Sequence, residues 1–164
     1  DILVSIFGIL VGIVLSPFII TGNLIANRGK TFYFQERVGK NGEVFKIVKL
    51  RTMNKDAEIS GPQFAQKKDL RVTKFGRFLR RSRLDEIPQF YNVLLGDMSL
   101  IGPRPERPVF VDELSELIPF YDTRHIIKPG LTGWAQVMAN YGDCYDDSLE
   151  KRNLSRPKYT FKNL

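Results

Sequence analysis

Ser82-Arg83-Leu84-Asp85-Glu86-Ile87-Pro88-Gln89-Phe90 sets two adjacent carboxylates directly after a basic run of Arg77, Arg80, Arg81 and Arg83. The apolar positions Ile87, Phe90, Tyr91, Leu94 and Leu95 then fall at helical spacing, and Gly96 is a natural stop. Pro88 has no N–H and is tolerated only in a first helical turn, where that donor would have no partner anyway. The spacing therefore predicts a helix that begins close to Asp85, with Asp85 as its cap. A helix N-terminus favours negative charge, so Asp85 is expected to stay ionised beside its cations. An ionised carboxylate among arginines suits chemistry on a phosphate: guanidinium groups hold phosphate oxygens while the carboxylate attacks. A capped helix with an ordinary surface ion pair would leave the same local pattern.

Upstream, Val72, Phe75, Phe78 and Leu79 share one helix face, ringed by Arg71, Lys74, Arg77, Arg80 and Arg81. Such a helix can lie in a headgroup plane, attracted to anionic lipid, or pack on a core with a basic outer face. Phe32 to Gly39 reads as a strand, Lys40-Asn41-Gly42 as a turn, and Val44 to Met53 as the returning strand of a hairpin. The second strand mixes apolar residues with Lys46, Lys49 and Arg51, of which two could aim at a phosphate. Residues 54–70 read as an exposed loop.

From Ile2 to Ala26 there is no Lys, Arg, Asp or Glu. A surface helix would show a polar face, and this stretch has none. It is long enough to cross about 30 Å of hydrocarbon, but Ser16-Pro17 divides it. Pro17 removes a backbone donor and frees a carbonyl, for which the Ser16 hydroxyl is a candidate partner. Either a kinked helix crosses the bilayer, or the chain turns at Ser16-Pro17 and leaves on the side it entered. Arg28, Lys30, Arg37 and Lys40 place the following flank on the cytoplasmic side. No basic n-region or small-residue cleavage site marks a signal peptide.

Downstream, two prolines restrict the backbone around Arg104, as suits a guanidinium used in phosphate recognition or a purely structural turn. Phe110 to Tyr121 reads as a helix ending near Pro119. Pro129-Gly130 and Thr132-Gly133 read as tight turns. His125 could serve as a base, although a lone histidine is more often structural. Trp134 suits a membrane interface or a core, and Gln136 a turn. Asp146-Asp147 reads as a helix start more readily than as a metal site.

The 164 residues suit one domain, and 43% are apolar. Lys and Arg outnumber Asp and Glu 25 to 18, a formal charge of +7 that points to an anionic partner: nucleic acid, anionic lipid or a phosphorylated substrate. Nucleic acid is disfavoured, because it does not account for the apolar segment and no recognition motif is present. The single cysteine, Cys144, excludes an internal disulfide and a cysteine-based metal centre.

Taken in order, Ser16-Pro17, Gln35 to Gly39, Lys49-Leu50-Arg51-Thr52-Met53, Leu84 to Gln89, Gly96 to Ser99, Gly102-Pro103-Arg104-Pro105 and Pro129 to Val137 resemble the bacterial sugar transferases, the monotopic phosphoglycosyl transferases. The likeness runs from Asp1 to about Lys151. It implies an α/β (α+β), helix-rich fold with a re-entrant membrane helix over residues 1–26, broken at Ser16-Pro17. Amphipathic interfacial helices and a small β-hairpin would follow in a catalytic domain over 27–164, on the cytoplasmic face of the bacterial inner membrane.

By the same resemblance, Asp85 attacks the phosphate of a nucleotide sugar, usually a uridine nucleotide, and forms a phosphosugar intermediate. A polyprenyl phosphate such as undecaprenyl phosphate then takes the sugar phosphate. Mg²⁺ is expected at Asp85 and Glu86, with Glu86 alternatively a base for the acceptor. Lys49, Arg51, Arg83, Arg104 and Gln136 would bind substrate, and the family leaves room for a homo-oligomer. A non-catalytic membrane-surface scaffold or lipid-binding module is the alternative, though it would have no need of Asp85. Beyond Lys151, Asn153 to Pro157 departs from the family pattern, and the chain reads as truncated at both ends.

Overall fold

The computed structural model describes residues 1–27, 30–57, 61 and 69–138, so Asp146-Asp147, Cys144 and the divergent stretch after Lys151 lie outside the described residues. Among them the fold mixes helices with two small sheets, as an α+β reading requires.

Helix α1 (Ile2–Ala26) runs for 25 residues and is long and apolar enough to cross a membrane. Helical backbone continues through Pro17. The helix is not broken at Ser16-Pro17 as expected: the carbonyl that Pro17 leaves without its usual donor belongs to Ile13, and the Ser16 hydroxyl donates to it at 2.7 Å. Only a narrow stripe of α1 faces the rest of the protein, with Ser5, Gly8, Ile19 and Asn23 buried. Leu3, Phe7, Val14 and Ile25 on the other faces are exposed. The contacts extend along most of the helix. A Cβ on Gly8 would sit 2.4 Å from the Phe90 ring, and one on Gly12 would sit 2.7 Å from Ile87. Further along, the Phe18 and Phe75 rings meet edge to face at 5.9 Å. At the C-terminal end the Asn27 amide donates to Asn23 and, at 2.8 Å, to the carbonyl of Arg51. The helix therefore lies alongside the body and does not project from it.

Strands β1 (Phe32–Val38) and β2 (Val44–Leu50) form the expected antiparallel hairpin, with Phe32 opposite Leu50 and Val38 opposite Val44. Its turn uses Asn41 and Gly42, both at positive φ. The second strand ends at Leu50, three residues short of the expected boundary; Met53 makes only an isolated bridge to Val72. Helix α2 (Lys74–Arg81) is N-capped by Thr73, whose hydroxyl accepts from the Gly76 N–H at 2.9 Å. Helix α3 (Gln89–Leu95) ends at Gly96 with φ 89°, the left-handed stop expected of a glycine. Buried Asn92 of α3 completes the free edge of β2, accepting from the Val48 N–H at 3.1 Å and donating to the Lys46 carbonyl at 2.9 Å.

The stretches read as tight turns around Pro129 contain a strand. β3 (Ser99–Ile101) and β4 (Gly130–Thr132) pair in parallel, Ser99 with Gly130 and Ile101 with Thr132. Glycines permit this pairing: a Cβ on Gly130 would fall 2.0 Å from the Gly102 nitrogen. Three residues are too few for a period-two pattern to stand out among glycines and prolines. Helix α4 (Pro108–Leu117) starts on its proline and is followed by a 3₁₀ segment over Tyr121–Ile126 and by helix α5 (Trp134–Met138). Trp134 is exposed.

Three small apolar clusters hold these pieces: Val38 with Phe110, Val111, Leu114, Ile118 and Tyr121; Ile19 with Leu50 and Leu79; and Ile47 with Val93 and Met98. Each fully buried aliphatic side chain, such as Leu79 or Ile47, contributes about 2 kcal/mol. The second cluster joins α1, β2 and α2, and the third joins β2 to α3, which fixes the turn between α2 and α3.

Candidate active site

That turn carries the carboxylate pair, and its geometry corrects the expected cap. Arg83 is left-handed at φ 58°, and Leu84–Glu86 form a 3₁₀ turn. The Ile87 N–H bonds to the Leu84 carbonyl, and the Phe90 N–H to that of Ile87, each spanning three residues. Pro88 cannot supply the four-residue bond to Leu84, so α3 begins only at Gln89, with Pro88 in the cap position. Asp85 therefore caps nothing, and a turn this short offers it little dipole.

Glu86 is the anchor of the site. Its Oε1 accepts from Arg104 Nη2 at 2.7 Å and lies 3.7 Å from Lys49 Nζ, while Oε2 lies 3.8 Å from Arg83 Nη1. Burial works to raise its carboxyl, but Arg104, then Lys49 and Arg83, outweigh that and hold it down at about 2. Its three ion pairs hold Arg104, Lys49 and Arg83 around the turn.

Asp85 is opposite in character. Its Oδ1 is buried and has no hydrogen-bond partner among the described residues. Burial drives its carboxyl up and the Glu86 charge pushes the same way; Lys49, Arg80 and Arg104 pull back, leaving it at about 6. It is thus mostly ionised at neutral pH, held there by cations and not by a helix terminus. Burial lowers the Lys49 ammonium, and the Arg104 and Arg37 charges add to that against Glu86 and Asp85. An added anion such as a diphosphate would favour its charged form.

Of the residues singled out from sequence, Lys49, Arg83, Arg104, Asp85 and Glu86 come together. Arg51 does not join them. Past the end of β2 its Nε donates to the Lys30 carbonyl at 2.9 Å, and its guanidinium lies 5.7 Å from the centre of the Tyr33 ring. Gln136 braces its own turn, donating from Nε2 to the Leu131 carbonyl at 3.3 Å. His125 sits in the 3₁₀ segment, 3.6 Å from Asp122 and edge-on to Tyr121, in keeping with a structural role.

Arg80 is a residue the sequence reading counted only within a basic run. Its Nε donates to Thr52 Oγ1 at 2.9 Å, and its charge reaches Asp85. The signal was its spacing: Arg80 lies four residues after Gly76, on the half-buried side of α2.

The arrangement is a buried carboxylate oxygen facing several cations, which can accept a phosphorus centre while the cations hold its oxygens. The bacterial sugar transferase family model matches residues 1–158. The chain is 49% identical over 136 residues to a protein of Aeromonas hydrophila named UDP-N-acetylgalactosamine-undecaprenyl-phosphate N-acetylgalactosaminephosphotransferase, covering 83% of this chain and 32% of that protein. It is 44% identical over 137 residues to a UDP-glucose:undecaprenyl-phosphate glucose-1-phosphate transferase of Xanthomonas campestris pv. campestris, covering 83% of this chain and 28% of that protein. It is also 42% identical over 127 residues to a protein of the same name from Escherichia coli (strain K12), covering 77% and 27%. The chain thus spans about a third or less of the length of these curated relatives. The match over nearly all its residues, with the carboxylate pair and its cations assembled, identifies the chain as a member of the bacterial sugar transferase family.

Proposed function

We propose that this chain is the catalytic unit of a membrane-associated phosphoglycosyl transferase, moving a sugar 1-phosphate from a UDP-sugar to a polyprenyl phosphate such as undecaprenyl phosphate. The observation that carries the reading is the unpartnered, buried Asp85 oxygen beside Lys49, Arg80 and Arg104. In the first step an Asp85 oxygen bonds to the phosphorus that bears the sugar, the P–O bond to the nucleoside phosphate breaks, and the nucleoside monophosphate leaves with that electron pair. In the second, an oxygen of the polyprenyl phosphate attacks the same phosphorus and the Asp85 carboxylate is released. Lys49, Arg80 and Arg104 face the charge that builds on the phosphoryl oxygens, and Glu86 keeps two of them, Lys49 and Arg104, in register.

The residues fit a Mg²⁺ ion of the kind bound by one or two carboxylates together with substrate phosphates. Asp85 would hold it through its free oxygen, and Glu86 would contribute only by exchanging an ion pair. When bound, the ion neutralises the diphosphate and the leaving phosphate.

The membrane placement follows from α1. A helix that contacts the body at Gly8 and again at Asn27 cannot stand across about 30 Å of hydrocarbon while the body stays in water. This supports an anchor that does not span the bilayer, although α1 stays helical through Pro17; the cytoplasmic side of the bacterial inner membrane is the placement we propose for the body. Asp85→Asn in lipid nanodiscs with Mg²⁺ is expected to abolish nucleoside monophosphate release from UDP-N-acetylgalactosamine or UDP-glucose. Mass spectrometry of the wild-type protein given donor alone should find a sugar-phosphate adduct on Asp85. Retained turnover in the variant would remove Asp85 as the nucleophile.

A further inference from the structure

Arg104 is carried by a segment with unusual bonding. Pro103 and Pro105 have no N–H to donate, so the loop is held by its carbonyls. All four from Pro103 to Glu106 are taken, each by a different group. The Gly130 N–H of β4 donates to Pro103 at 2.9 Å, and the Val38 N–H of β1 donates to Glu106 at 2.9 Å. The two between them are taken by guanidinium groups: Arg124 Nη2 donates to the Arg104 carbonyl, and Arg37 Nη1 donates to the Pro105 carbonyl at 3.0 Å.

Both arginines are themselves fixed. Arg37 is held by Gln35 Oε1 and by Glu106, whose Oε2 lies 3.4 Å from Nη1. Arg124 lies 4.8 Å from the centre of the Tyr121 ring and donates to its hydroxyl. Among the described residues neither guanidinium makes an ion pair with Asp85 or Glu86; one donor of each goes to the main chain that carries Arg104, whose own guanidinium meets Glu86.

We propose that Arg37 and Arg124 are positioning residues for the transfer reaction: they grip the main chain of the Pro103–Pro105 segment and so fix the Arg104 guanidinium against Glu86 and the reacting phosphate. The inference rests on the transferase reading for its consequence in catalysis, but the brace itself is a matter of geometry. Arg104 Nη2 meets Glu86 Oε1 at 2.7 Å from the main chain that the two arginines hold. Slackening the brace should let the Arg104 guanidinium drift from Glu86.

The test is a double-mutant cycle on the full chain in nanodiscs, with Arg104→Ala, Arg124→Ala, Arg37→Ala and the two doubles with Arg104→Ala. Displacing the guanidinium by about 1 Å is expected to lower kcat for monophosphate release about 100-fold in each brace variant, with a smaller change in KM. Each double should be no slower than Arg104→Ala alone. Tyr121→Phe frees Arg124 without deleting it, and should act in the same direction if Arg124→Ala does not fold; Arg37→Lys should restore part of the loss. A double that falls by the product of the singles, or a brace variant with lowered melting temperature but unchanged kcat, overturns the proposal. ¹⁵N relaxation of the Arg104 Nε–H gives a readout free of turnover, with the side chain expected to lose order in Arg124→Ala and in Arg37→Ala; an unchanged side chain overturns the brace. A wild-type protein that releases no monophosphate would sink the transferase reading, while this relaxation measurement would still decide the brace.

Discussion

Two polar clusters flank the C-terminal end of β2, and they use their charges differently. On one side Lys49 reaches Glu86, together with Arg104 and Arg83, next to an Asp85 oxygen with no partner. On the other, Arg51 lies in a network of neutral groups. Asn27 donates to Asn23 and to the Arg51 carbonyl, the Thr73 hydroxyl donates to Asn27, and Arg51 donates to the Lys30 carbonyl. The first cluster concentrates cations that can hold an anion, beside a carboxylate oxygen left open. The second uses its polar groups on backbone and amide partners, the condition for joining α1 to the body. Two cations two residues apart thus do different work, because the strand that would have put them on one face stops between them, at Leu50.

Removing one cation from each cluster breaks this comparison most strongly. Arg104→Ala is expected to lower monophosphate release about 100- to 1,000-fold per folded molecule. Some stability is lost as well, because Glu86 keeps only Lys49 and Arg83. Arg51→Ala should lower the melting temperature while turnover per folded molecule stays near wild type. Equal losses of kcat in the two variants would erase the distinction.

Proton titration sharpens it. With Asp85 near 6, kcat/KM of the free enzyme should fall as pH drops through about 6. Glu86→Gln removes a charge that raises Asp85, so the limb should shift to lower pH even as the rate drops. Stability runs the other way for this group: its raised folded-state value favours the native protein below its ordinary 3.8, and that contribution is lost as pH rises through about 6. Asp85→Asn should therefore raise the melting temperature at pH 8 relative to wild type, and the gain should vanish at pH 4.

The smallest effect belongs to the neutral cluster. Thr73→Ala removes the α2 cap and a bond to Asn27, and should cost about 1–2 kcal/mol in chemical denaturation with kcat unchanged.

Much of this was legible in the sequence. The α1 segment, the hairpin, α2 and the Gly96 stop follow from runs, spacing and turn residues, and Arg83, Asp85 and Glu86 from charge around a carboxylate pair, while the family resemblance brought Lys49 and Arg104 to it. What escaped has physical causes. Pro88 can sit in a first helical turn or in front of one, and only the three-residue bonds beneath it decide between them. The β3–β4 pair is too short to carry a period. Arg37 and Arg124 serve backbone carbonyls distant in sequence, a partner that residue type does not reveal.

Gly8 and Gly12 leave no space between α1 and the side chains of Phe90 and Ile87, which follow the carboxylate pair by only a few residues. In a bilayer this makes reaction depth a mechanical property of the anchor. A thicker or thinner lipid leaflet, by raising or sinking the helix, would carry the Asp85 oxygen with it, towards or away from the level at which lipid-borne phosphates sit.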